Sequence, residues 1–82
     1  MKPFTIIRSG RRSDHESEYT SITEAVKAYS YTLECGASWS HEPGNQKINC
    51  SPKTAKSLVS NLNKAVDNSA ANGYSSTRYR LK

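Results

Sequence analysis

The chain has 82 residues, 34% hydrophobic and 23% charged, and its twelve Lys and Arg against seven Asp and Glu leave a formal charge of +5. That length holds one domain with a modest core, burying about 60–65% of the surface its unfolded form exposes, and the regular spacing of the apolar residues excludes a disordered chain. No apolar run approaches the ~18 residues of a transmembrane helix, and Met1-Lys2-Pro3 is not followed by the apolar core of a signal peptide.

From these limits the chain is expected to be a complete small gene product, a single domain over residues 1–82, made and kept in a cytoplasm. Cys35 and Cys50 are then reduced thiols, and Asn49-Cys50-Ser51 is a chance glycosylation sequon.

In chain order, Phe4-Thr5-Ile6-Ile7-Arg8 is short, apolar and rich in strand formers. Ser9-Gly10-Arg11-Arg12-Ser13-Asp14 reads as a basic turn. His15 to Thr20 is the returning strand, with Tyr19 inward. Ser21-Ile22-Thr23-Glu24 fits a capping box. Ile22, Ala25, Val26, Tyr29 and Leu33 follow at helical spacing, and Gly36 stands where a left-handed cap would end the helix. One helix over about 22–35 is predicted.

Ala37–His41 and Gln46–Cys50 are predicted to form a second hairpin around Glu42-Pro43-Gly44-Asn45, whose Pro-Gly suits a type II turn. Trp39 and Ile48 are its inward residues. Ser51-Pro52 offers an N-cap and a first helical position for a second helix. That helix carries the apolar stripe Ala55, Leu58, Val59, Leu62, Ala65 and Val66, and Asn72-Gly73 ends it. Its outward face is read as Lys53, Lys56, Ser57, Ser60, Asn61, Lys64, Asp67 and Asn68. From Tyr74 to Lys82 the chain alternates, with Thr77, Tyr79 and Leu81 on one side and Arg78, Arg80 and Lys82 on the other. The expected architecture is α+β in the order β-β-α-β-β-α-β, a mostly antiparallel sheet with two helices on one face.

Two groups of cations stand out: Arg8, Arg11 and Arg12 around the first turn, and Arg78, Arg80 and Lys82 along the last strand. If those strands are neighbours, six cations converge on one surface and could follow a polyanion such as nucleic acid. The competing reading is an edge strand protected from aggregation by its charge. Aromatic residues border the cations, as stacking platforms for single strands require. Tyr29 and Tyr79 fall on core positions, however, and Tyr31 is the one expected to be exposed.

Cys35, His41 and Cys50 are separated by five and eight residues, a spacing that matches no common zinc pattern. No metal, no cofactor and no Cys35–Cys50 disulfide is expected. Asp14-His15-Glu16 and His41-Glu42 pair acids with histidines, but neither comes with a nucleophile elbow or a phosphate loop. No catalytic residue is assigned, and the chain is read as a non-enzyme.

A short, compact, cysteine-poor α+β chain rich in Ser, Asn and Tyr resembles in build the small accessory proteins of bacteriophages and mobile elements, including anti-CRISPR and other host-takeover inhibitors. The resemblance covers the whole chain but rests on no shared motif, so it carries over no residue roles. It implies a partner that is a host protein or nucleoprotein complex, and the residues read above as a polar, basic surface, Arg8, Arg11, Arg12, Tyr31, Arg78, Arg80 and Lys82, are the expected contact. Direct binding of nucleic acid through the same cations is the alternative.

Overall fold

The computed structural model describes residues 2–10, 13–70 and 77–82. The fold is α+β: a three-stranded antiparallel sheet and three helices in the order β1 (Phe4–Ser9), β2 (Asp14–Tyr19), α1 (Ile22–Ala28), α2 (Ser30–Ser38), α3 (Ala55–Ala70) and β3 (Arg78–Leu81). β1 is central, pairing with β2 from Phe4↔Tyr19 to Ser9↔Asp14 and with β3 from Ile6↔Leu81 to Ser9↔Arg78.

Alternation along β1 sends Phe4 and Ile6 to the helical side and Thr5, Ile7 and Ser9 to the outer side. On the helical side Ile6 is sealed with Ala25, Leu33, Leu58, Leu62, Val66 and Tyr79. Phe4, Tyr19, Tyr29 and Tyr79 form a chain of ring contacts with centroids 6.0, 5.8 and 5.6 Å apart. Burial, then the neighbouring Tyr19 hydroxyl, pushes the Tyr29 phenol well above its ordinary value.

The first predicted helix is two. Ser21 caps α1 as expected, its hydroxyl accepting from the Glu24 N–H at 3.1 Å, although the Glu24 carboxylate accepts from the Thr20 hydroxyl rather than turning back to Ser21. Regular α geometry breaks at Tyr29 (φ −104, ψ 11). There the Ser30 hydroxyl donates to the Lys27 carbonyl at 3.0 Å, a local bond that competes with the helical ladder, and the Tyr29 ring lies between Tyr19 and Tyr79.

α2 then runs through Gly36 instead of ending on it. Gly36 is buried inside the helix because a β-carbon there would run into the Cβ and Cα of Ala65 on α3. The glycine therefore serves close helix packing rather than capping.

The second hairpin is absent: among the described residues, 39–50 contain no strand. The type II turn is present, with Gly44 at φ +85 and the Asn45 N–H donating to the Glu42 carbonyl at 3.1 Å. Residues 45–50 form no regular element, and their backbone bonds to asparagine side chains of α3 instead of to a strand. The Gln46 N–H donates to Asn68 Oδ1 at 2.9 Å, and Asn68 Nδ2 donates to the Gln46 carbonyl at 2.7 Å and to the Gly36 carbonyl at 3.1 Å. The Asn49 N–H donates to Asn61 Oδ1 at 2.8 Å. Asn61 and Asn68 are thus buried, not on the outward face of the helix.

α3 begins later than Ser51-Pro52. Its cap is Thr54, whose hydroxyl accepts from the Ser57 N–H at 3.0 Å, and Pro52 is buried ahead of it. The predicted stop at Asn72-Gly73 and the start of the tail at Tyr74 lie outside the described residues.

Candidate functional site

The strand adjacency required for a cationic surface is present, because β3 lies against β1. Among the described cations, however, Arg8 does not join the other three. Arg8 shares the phase of Ile6 and is paired in register with Tyr79, so it leaves the sheet on the face opposite Arg78, Arg80 and Lys82. Arg11 and Arg12 lie outside the described residues.

On the outer face β3 offers Arg78 and Arg80, and Lys82 follows just past its end, while β2 offers Asp14, Glu16 and Glu18, with Thr5, Ile7 and Ser9 of β1 between them. The two ladders reach across β1. Arg80 meets Asp14 at 3.2 Å and the Ser9 hydroxyl at 2.5 Å, and Lys82 meets Glu16 at 2.8 Å. The Glu16 carboxylate, through its hydrogen bond and its charge, raises the Lys82 pKa. Ile7, on this face yet only 8% exposed, lies between its register neighbours Glu16 and Arg80. Arg78 turns around the sheet edge to Asp67 of α3 at 2.9 Å.

Each cation of β3 is therefore already held by a carboxylate. A phosphate would have to displace those partners, and the acidic ladder about two strand spacings away, roughly 10 Å, opposes a polyanion on the same face.

Tyr31 stands apart from this face. It projects from α2 and is 78% exposed, the most exposed large hydrophobic side chain among the described residues. It stands at a cleft of about 430 Å³ between α2, α3 and the start of β3. Tyr31, Cys35 and Trp39 follow one another at intervals of four along one side of the chain, and Val66, Ala65 and Tyr79 form the opposing wall. The Gly36–Ala65 contact sets the spacing of the two helices. The lining is more apolar than polar. Cys35 and Cys50 are both free and half-buried, and among the described residues no three potential ligand side chains come together around a metal position.

The exposure expected of Tyr31 is present, but sequence reasoning missed Trp39 and Cys35 as its neighbours along the cleft. Reading Gly36 as a stop ended the helix before Trp39, which was assigned to a strand. The spacing 31–35–39 is the signal that would have joined them.

The chain matches no protein-family model, no curated protein and no solved structure.

Proposed function

We propose that this chain is a non-catalytic binding protein that docks on a protein surface, alone or within a nucleoprotein complex, through Tyr31 and the adjoining α2–α3 cleft. The supporting observation is the 78% exposure of Tyr31 at the mouth of an apolar cleft that also contains Trp39. Exposed Tyr and half-buried Trp side chains dominate protein interfaces because each covers a large apolar area at low entropic cost and keeps a polar tip. A cleft of this volume accepts one or two side chains of a partner.

The contact differs from the cation-led surface expected from sequence. The cations of the last strand are held by Asp67, Asp14 and Glu16 and do not line this cleft. With the resemblance in build to small bacteriophage accessory proteins that the sequence suggests, the reading extends to an inhibitor or modulator of a host protein or nucleic-acid-handling complex.

The test is capture on the immobilised protein from a lysate of the source cells, with and without nuclease. A protein retained through nuclease treatment, lost with Tyr31→Ala and kept with Arg80→Glu supports the reading. Retention that vanishes with nuclease, or with Arg80→Glu while Tyr31→Ala has no effect, overturns it in favour of direct nucleic-acid binding.

A further inference from the structure

The two edges of the sheet are finished differently. At β3 the amide of Asn63 on α3 takes the place of a neighbouring strand. The Tyr79 N–H donates to Asn63 Oδ1 at 2.8 Å, and Asn63 Nδ2 donates to the Tyr79 carbonyl at 3.0 Å. At β2, among the described residues, the backbone makes no hydrogen bond beyond its pairing with β1, and Asp14, His15, Glu16 and Glu18 are exposed. Every second residue of such a strand directs its N–H and C=O away from the sheet, a template for one more strand.

The side chains along that open edge specify the occupant. Asp14, Glu16 and Glu18 fall on one face at alternate positions, so an added strand would place its own alternate residues directly beside them, about 5 Å away. Lys82 and Arg80 already reach Glu16 and Asp14 from two strands away, leaving those carboxylates 52% and 51% exposed, so an added cation would share or displace these pairs, while Glu18 is exposed beside them. A second copy of β2 would set acid against acid. We infer that the free edge of β2 accepts an extended basic protein segment, with Arg or Lys at alternate positions, by strand addition. This surface is separate from the Tyr31 cleft, and its test makes no use of that cleft.

The experiment is an NMR titration of the isotopically labelled full chain with a short peptide alternating Arg with Thr, run beside its Glu-for-Arg counterpart and an isomer with the arginines clustered at one end. The alternating basic peptide should shift the amides of Asp14–Tyr19 and slow the exchange of alternate β2 amides, and the acidic peptide should do neither. Glu16→Lys with Glu18→Lys should weaken the basic peptide about tenfold, as two favourable cross-strand pairs become repulsive, and should admit the acidic one. Glu18→Gln, which leaves the Glu16–Lys82 pair in place, should weaken it by a smaller factor and serves if the double variant does not fold. Equal binding of the clustered isomer would reduce the effect to general attraction and overturn the inference. So would shifts centred outside Asp14–Tyr19, absence of binding at millimolar peptide, or self-association through β2 without peptide.

Discussion

Replacing Asn68 by Ala removes a side chain that takes the place of a missing strand. Asn68 is 1% exposed, and its amide joins both backbone groups of Gln46 and the Gly36 carbonyl. Three such bonds contribute roughly 0.5–1.5 kcal/mol each. The Gly36 carbonyl would keep the Trp39 N–H at 3.3 Å, and water can reach Gln46, which is exposed. The expected loss is therefore about 2–3 kcal/mol, a large part of the roughly 4–12 kcal/mol available to a domain of this size.

With a urea slope near 1 kcal/mol/M, the unfolding midpoint should fall by about 2–3 M. Asn68→Asp adds a sign test. Its carboxylate would be buried facing two carbonyls, so its folded-state pKa lies above the unfolded value. The folded state then binds the proton more tightly, and stability falls as pH rises through that interval. Asn68→Asp should thus resist urea better at pH 4 than at pH 7, whereas Asn68→Ala shows no such difference from the parent. A midpoint shift below about 0.5 M for Asn68→Ala would refute the claim that this asparagine holds the 45–50 segment.

Gly36→Ala should destabilise the protein by more than the 1–3 kcal/mol typical of overpacking, and Ala65→Gly should not restore it, because the added methyl also meets the Ala65 Cα; paired urea melts decide this. Leu62→Ala, at a fully buried position, should cost about 2–5 kcal/mol and leave partner capture intact once the variant is folded. Raising the pH above 10 should unfold the protein in step with Tyr29 ionisation. Its folded-state pKa is raised from 10.0, so its contribution is complete below that value and is lost as pH climbs towards the folded-state pKa; Tyr29→Phe should flatten the dependence in an absorbance-monitored titration. Arg80→Glu, in an exposed pair, should change stability by less than about 1 kcal/mol, as read from the thermal midpoint.

The sheet was legible where periodicity and turn chemistry agreed: β1, β2 and the β3 alternation needed only local sequence, and their adjacency put Arg78, Arg80 and Lys82 beside β1. What local pattern could not reveal was which face each cation takes. Arg8 falls on the opposite phase because register is decided by Ile6 entering the core. The 37–50 region misled because its β-formers and Pro-Gly turn look like a hairpin, while the groups that satisfy its backbone, Asn61 and Asn68, lie on a distant helix and look like solvent-facing polar residues. Gly36 misled for a similar reason: a glycine near the end of a helical stripe serves a cap or a close contact, and only the position of Ala65 distinguishes them. Tyr31 was legible because it falls off the apolar stripe, but the cleft beside it needed tertiary contacts to appear.

The most direct measurement places a photoreactive benzophenone residue at position 31, and separately at position 80, and irradiates each protein in lysate of the source cells. The account predicts a discrete cross-linked protein from position 31, insensitive to nuclease and competed away by unmodified protein, with little from position 80. Cross-linking to nucleic acid from position 80, with none to protein from position 31, would contradict it.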